Sequence, residues 1–303
     1  MDYVIILFAV FCFAGQFAFT KVFEKTVNQT LATSLVMLVI TNLAGALLLF
    51  AGGGFKASFS LPSVILAIIF ALIMIPYYVI GIKVLSLGSL ALYGMFMMLG
   101  GMVVPFLYGI VFLREQLSVG KCLGTVLLTV FIVLQAVWQN SQGDVQKEVT
   151  KAQKTLFFIL CLAVFFINGM TGVIAKIHQV TEGTVDEVSF TVLSCALTAL
   201  FSLVLFVFKL PINPRVTLSQ AASAIRAKPI LTMVFIGASA YIGNFLHLLA
   251  ANSVPASVQF PLVSGGVIIL SALVSFFVFK ERVSKKEWLV ILGAFLSTFF
   301  FAF

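Results

Sequence analysis

Ten polar or aromatic side chains stand inside long apolar stretches of this 303-residue chain, and these are the residues that could do chemistry. Amides, hydroxyls, phenols and an imidazole can donate and accept hydrogen bonds without carrying a full charge. We interpret the set as candidate ligands for a small polar molecule. Its members are Gln16, Tyr77, Tyr78, Tyr93, Asn168, Thr171, Tyr241, Asn244, His247 and Gln259.

The spacing of three of these residues predicts a polar stripe on one helix. Tyr241, Asn244 and His247 are three residues apart, so they fall on one helical face. A polar stripe is costly against lipid, which favours a watery cavity beside it. For any single residue, interhelical hydrogen bonding is the open alternative. His247 could carry a proton near neutral pH or be a neutral structural histidine, whereas His178 is expected to be solvated in a loop.

The chain carries no motif of an enzyme. GxSxG, HExxH and P-loop patterns are absent from the sequence, so we predict no catalytic residues and no cofactor. The four cysteines form no CxxC or Cys/His spacing, which predicts packing residues and no metal site. All ten acidic residues fall at the ends of apolar stretches or between them. This argues against proton/cation antiport through a carboxylate in the middle of the membrane.

Composition restricts the class of protein. Hydrophobic residues make up 62% of the chain and charged residues 9%, with a mean hydropathy of +1.19. A soluble fold cannot cover its surface with so few charges, and a disordered chain would not be so apolar. A multi-pass membrane protein is predicted, with the lipid bilayer as its partner. The net charge of +8 then indicates orientation and not nucleic acid.

Ten segments are long enough to cross a bilayer, which needs about 20 apolar residues per helix. The predicted fold class is therefore all-α and integral to the membrane. The first segment has no basic leader region, so we expect a retained helix and not a cleaved signal peptide. The predicted spans are 3–22, 30–51, 62–82, 89–113, 118–138, 154–175, 188–208, 229–250, 255–279 and 286–302.

Two five-helix halves are predicted, residues 1–138 and 154–303, joined by a polar linker at 139–153. Glu115 and Ser118 recur as Glu281 and Ser284 at the end of the fourth span of each half. An odd number of spans per half forces the second half to enter the membrane from the other side. The result is an inverted repeat, an arrangement common in secondary transporters.

Charged residues at span ends have structural interpretations that compete with functional ones. We favour Glu115 and Glu281 as caps that shorten the turn into the next helix, over a role with substrate or protons. Lys21 and Lys176 stand at equivalent span ends of the two halves. Each could anchor an anionic group, but snorkelling to the headgroups is the commoner arrangement.

The pattern resembles the EamA-type branch of the drug/metabolite transporter superfamily. The resemblance rests on ten spans, the five-plus-five duplication, the Phe-Leu-x-Glu-x-Leu-Ser boundary at 112–118 and a Gly-to-Lys pattern in the first span. It covers nearly the whole chain and implies a transporter, but no particular substrate. Many members carry Trp-Gly in the first span of each half, where this chain has Phe13-Ala14 and Asn168-Gly169.

The positive-inside rule gives an orientation for the ten spans. Fourteen of the 18 Lys and Arg fall in loops after odd-numbered spans, which places those loops in the cytoplasm and both termini outside. The family resemblance implies cytoplasmic termini instead. The expected location is the plasma (inner) membrane.

The predicted function is secondary active transport of a small polar, amino-acid-like metabolite by alternating access. A quaternary or aromatic cation is the alternative substrate. A non-transporting scaffold or sensor is the alternative from another class. The expected assembly is a monomer or homodimer.

Overall fold

A computed structural model describes residues 2–24, 26–28, 30–54, 56–87, 90–140, 151–209, 214–278 and 285–300. The structure is about 87% helical, and the residues it describes contain no strand. The helices are α1 Asp2–Glu24, α2 Leu31–Gly52, α3 Leu61–Leu87, α4 Leu90–Val111, α5 Val119–Asn140, α6 Lys151–Val180, α7 Glu187–Lys209, α8 Pro214–Ala224, α9 Ala227–Ala251, α10 Ala256–Phe277 and α11 Lys285–Phe299.

The predicted all-α membrane class is confirmed at this level. Six helices, α1, α2, α3, α6, α7 and α9, contain stretches long and apolar enough to cross a membrane. Shorter apolar stretches lie in α4, α5 and α10. The predicted number of ten spans and the inverted repeat stay predictions. One element was missed, because residues 214–224 were treated as part of a loop and form α8.

Two helices extend into the segment that was predicted as a linker. Helix α5 continues through Asn140 and α6 begins at Lys151, while residues 141–150 lie outside the described part of the chain. Helix α6 also runs to Val180, past the predicted end of span six at 175. Three polar residues, Lys176, His178 and Gln179, lower the hydropathy of this extra turn.

Two compact units divide the chain by packing. The first is formed mainly by Tyr3–Val79 and Ile177–Asn252, and the second by Ile80–Lys176 and Ser253–Phe303. Each unit draws helices from both predicted halves. The halves were inferred from internal similarity, which this division does not test, so the boundaries 1–138, 139–153 and 154–303 stay predictions.

In the first unit, α2 and α9 touch through glycines. A Cβ on Gly237 would lie 2.3 Å from the Thr41 carbonyl oxygen, and one on Gly45 would lie 1.9 Å from the Tyr241 ring. Both contacts advance by four residues along each helix, so α2 and α9 run parallel. Close backbone approach at small residues is the usual basis of helix association in membranes.

Helix α1 packs on α9 in the opposite direction. Gly15 faces Ser239, whereas Gly243 lies against Cys12 and Phe13. Residue numbers rise along one helix as they fall along the other, so α1 and α9 are antiparallel.

Apolar side chains close one end of the first unit, at the end of α1 and the beginnings of α2 and α9. Helix α8 contributes two alanines to this cluster, so it is held by buried contacts although it is short. We call these residues the end cluster: Phe23, Val27, Val36, Met37, Ala221, Ala224, Met233 and Ile236.

In the second unit, α4 and α6 also approach each other closely at glycines. A Cβ on Gly100 would lie 2.0 Å from the Phe165 carbonyl oxygen. Gly101 faces Asn168, and Gly172 faces Pro105. These contacts also advance together, so α4 and α6 run parallel.

Replacing Gly237 tests the contact between α2 and α9. Gly237→Ala places a methyl group against backbone that cannot move aside, so we expect destabilisation by about 1–3 kcal/mol. Gly52→Ala is the matched control, since nothing lies within 4 Å of its added Cβ. Thermal unfolding in detergent measures both variants, and equal melting temperatures would contradict this packing.

Candidate functional site

The predicted site residues are divided between the two compact units. Six belong to the first unit: Gln16, Tyr77, Tyr78, Tyr241, Asn244 and His247. Four belong to the second: Tyr93, Asn168, Thr171 and Gln259. The side chain of Tyr93 lies outside the described residues. Whether these groups bind a ligand stays a prediction, and each unit is considered by itself.

A hydrogen bond joins α2 and α9 within the first unit. The Tyr241 hydroxyl donates to Asn42 Oδ1, and Asn42 Nδ2 donates to the Leu38 carbonyl at 2.8 Å. Cys195 on α7 and Tyr78 on α3 lie near the Tyr241 hydroxyl. Cys195 was interpreted as a packing residue only, because its spacing carried no signal for this neighbour.

Two amides of the first unit differ from this satisfied group. The side chains of Gln16 on α1 and Asn244 on α9 are partly exposed. Neither has a hydrogen-bond partner within the part of the chain that the structure describes. With a rise of 1.5 Å per residue, Gln16 lies about 5 Å and Asn244 about 8 Å from the middle of its helix. Unsatisfied amides at this depth need water or a ligand.

Aromatic rings also meet within the first unit. The Phe13 and His247 rings meet edge to face, with centroids 6.2 Å apart. On α3, Tyr77 and Tyr78 also meet edge to face at 5.2 Å, directly after Pro76.

In the second unit, the polar residues of α6 make structural hydrogen bonds. Asn168 Nδ2 donates to the Met97 carbonyl of α4 at 2.7 Å, and the Thr171 hydroxyl donates to the Asn168 carbonyl at 2.7 Å. Asn168 thereby makes an interhelical hydrogen bond, which was the alternative interpretation of this residue. Gln259 on α10 is fully buried.

Glu115 caps a helix, as the sequence suggested, but not the next one. Its carboxylate accepts the backbone N–H groups of Ala256 and Ser257 at 2.8 and 2.9 Å, at the beginning of α10. Helix α5 is instead capped by Ser118, which accepts the Lys121 N–H at 3.2 Å. The sequence could not identify α10 as the partner, since that helix begins 141 residues later. Glu281 and Ser284 lie outside the described residues.

Lys176 is buried and does not reach the surface as a snorkelling side chain would. Only 8% of its surface is exposed, and the negative charge of Glu115 acts on it. A buried ammonium group needs such a counter-charge. Glu115 therefore serves both a helix terminus and a cation.

The expectation that His178 is solvated in a loop was wrong. His178 lies in the last turn of α6, is 1% exposed, and stacks on Phe190 with a centroid distance of 3.8 Å. Ser63 Oγ accepts both the Val185 N–H and the Ser60 hydroxyl, and it also lies 3.0 Å from His178 Nε2.

Asp186 begins α7 by accepting two hydrogen bonds from Ser189, from the backbone N–H at 3.0 Å and the hydroxyl at 2.7 Å. Burial alone would raise the pKa of Asp186, but these hydrogen bonds outweigh it and hold that pKa below its ordinary value. No group of three or more His, Cys, Asp or Glu side chains suited to a metal ion occurs among the described residues.

Comparison with known proteins adds a fold relationship only. No protein-family model and no curated protein matches the chain. One solved structure, described only as "Crystal structure of protein", superposes with a TM-score of 0.74 at 13% identity, and the match covers 99% of this chain and 95% of that one. At this identity the likeness extends to the fold alone.

Removing the Glu115 carboxylate should destabilise the second unit. Glu115→Ala leaves two backbone N–H groups without an acceptor and Lys176 without its counter-charge, so we expect a loss of about 2 kcal/mol or more. Gln116→Ala is the control, because that side chain is exposed next to Glu115. Thermal unfolding at pH 7 measures both, and an unchanged melting temperature for Glu115→Ala would contradict the cap.

The lowered pKa of Asp186 predicts a pH dependence. A depressed pKa in the folded state means stability that is present above the ordinary pKa near 3.8 and lost as pH falls through the lower, folded value. Asp186→Asn removes the negative charge at the helix start, so it should cost about 0.3–1 kcal/mol at neutral pH. It should also flatten the dependence of the melting temperature on pH between about pH 5 and about pH 3. The exposed Glu182→Gln is the control, and an unflattened acid profile for Asp186→Asn would speak against the cap.

Proposed function

We propose that this protein is a secondary active transporter of the EamA-type drug/metabolite class, which moves a small polar, amino-acid-like metabolite across the plasma membrane by alternating access. The observation that carries the proposal is the pair Gln16 and Asn244. Both amides lie well inside apolar helices, partly exposed and without hydrogen-bond partners in the described chain. A scaffold has no use for such groups, because each is costly in lipid.

The chemistry of the first unit suits a neutral or zwitterionic ligand. An amide can donate to a carboxylate and accept from an ammonium group, so Gln16 and Asn244 can serve either end of an amino-acid-like molecule. Among the described residues no carboxylate occupies the interior of a span. An organic cation that binds in competition with protons would require such a carboxylate.

Helix directions are consistent with the ten-span topology that the proposal needs. Helices α3 to α7 separate α2 from α8 along the chain. With 11 residues, α8 is about 16 Å long and too short to cross a core of about 30 Å. If the helices from α3 to α7 and α9 all cross, α9 must run parallel to α2 and antiparallel to α1. The glycine contacts have these directions.

Uptake by purified protein in liposomes tests the proposal. A metabolite library is first screened for thermal stabilisation, and counterflow is then measured with each stabilising compound. Gln16→Ala and Asn244→Ala should each reduce transport by roughly 10-fold, the effect of losing one ligand hydrogen bond worth about 1.4 kcal/mol. Both variants should keep the wild-type abundance in the membrane.

Thr129→Val is the matched control, since its hydroxyl donates only to the Thr125 carbonyl of its own helix. Stabilisation by a compound without any counterflow would favour a sensor. Wild-type kinetics in both amide variants would overturn the site while leaving transport possible.

A further inference from the structure

Helix α8, residues Pro214–Ala224, connects two long apolar helices without being a span itself. Proline at its first position costs no hydrogen bond, since the first N–H groups of any helix lack a partner within it. Its second residue is Arg215, and no acidic residue occurs between Glu187 and Glu281. Some faces of α8 do not pack on the protein, and the residues on those faces indicate what surrounds them.

One face of α8 packs against the rest of the protein. Thr217, Ala221 and Ala224 are buried at spacings of four and three residues, and the two alanines join the end cluster. Small side chains on this face let α8 lie close against the ends of α1, α2 and α9. The helix therefore has a defined orientation, and its other faces can be assigned from it.

The next face of α8 is apolar and exposed. Leu218, Ala222 and Ile225 each follow a buried residue by one position, which turns them together by about 100° around the axis. Leu218 is 54% exposed and Ile225, directly after the last helical residue, is 55% exposed. An apolar flank in a segment that joins two membrane helices is suited to the acyl chains just below the headgroups.

Four cations stand near this flank in the sequence. Arg215 lies on α8, Arg226 and Lys228 follow it, and Lys209 ends α7. Arg215, Arg226 and Lys228 are exposed. Residues 188–280 contain no acidic residue, and cations beside an apolar flank are complementary to a layer of phosphates.

We propose that α8 lies in the membrane–water interface with its Leu218 and Ile225 flank on the acyl chains, and that Arg215, Arg226 and Lys228 bind anionic phospholipid headgroups there. This surface does not depend on any transported substrate. Because α8 packs on the end cluster, bound headgroups would also hold the ends of the helices that carry Gln16 and Asn244. Anionic lipid should therefore stabilise the first unit.

The placement is tested by lipid quenching of a tryptophan on α8. Leu218→Trp is made in a chain whose own tryptophans, Trp138 and Trp288, are replaced by Phe, and the protein is reconstituted with brominated phosphatidylcholine or brominated phosphatidylglycerol. We expect quenching by both lipids, and stronger quenching by phosphatidylglycerol. Leu200→Trp is the control, because this exposed site near the middle of α7 lies far from the cations at its end and should be quenched equally by both. Absence of quenching at position 218 would overturn the interfacial placement.

The headgroup preference is tested by removing charge. Arg215→Gln, Arg226→Gln and Lys228→Gln should each lower the preference for phosphatidylglycerol about fivefold, which corresponds to about one headgroup interaction per cation. Added salt should weaken the preference in the same direction.

A matched set of exposed or partly exposed cations elsewhere, Lys56→Gln, Lys83→Gln and Lys121→Gln, controls for net charge. If this set lowers the preference as much as the α8 set, the binding is non-specific and the proposal fails. A second readout uses the unmodified chain. Its melting temperature in mixed phosphatidylglycerol and phosphatidylcholine should exceed that in phosphatidylcholine alone, and an equal temperature would also count against the proposal.

Discussion

Hydrocarbon offers no hydrogen-bond partner to a polar group, and this constraint governs the whole structure. Helices satisfy it for the backbone, which is why an apolar chain of this composition becomes all-α. The same constraint applies to polar side chains inside the spans. Thr41, Thr198 and Ser297 each donate to a carbonyl one turn earlier in their own helix. Such hydroxyls need no neighbour and reveal little about function.

Polar groups that reach beyond their own helix are therefore the informative ones. Tyr241 and Asn42 join two helices that glycines bring into contact, and Asn168 does the same between α4 and α6. These bonds explain part of the polar stripe by structure alone. Gln16 and Asn244 are different, since they remain partly exposed without a bond in the described chain. Of the ten candidates, Tyr241, Asn168 and Thr171 make hydrogen bonds within the protein, and the proposed site rests on Gln16 and Asn244.

Carboxylates at the ends of the helices also supply hydrogen-bond partners to groups that would otherwise lack them. Glu115 and Asp186 each stand where backbone N–H groups of a helix start lack partners, and each accepts two hydrogen bonds there. Their position follows from the positive end of the helix dipole as well as from the missing acceptors. These two acids thus have structural roles at helix ends, outside the apolar interior.

The sequence alone determined the class of protein, because long apolar runs with charges between them have no other stable solution than helices in a bilayer. It also favoured a cap for Glu115 over a role with substrate or protons, because a carboxylate at a span boundary can accept the free N–H groups of a helix start. Only the tertiary structure decided which helix Glu115 caps, that His178 is buried against Ser63 and Phe190, and that residues 214–224 form a helix. These outcomes depend on partners more than a hundred residues away in the first two cases, and on packing against the end cluster in the third. Hydropathy records how apolar a segment is, but it carries no information about which segment lies beside it.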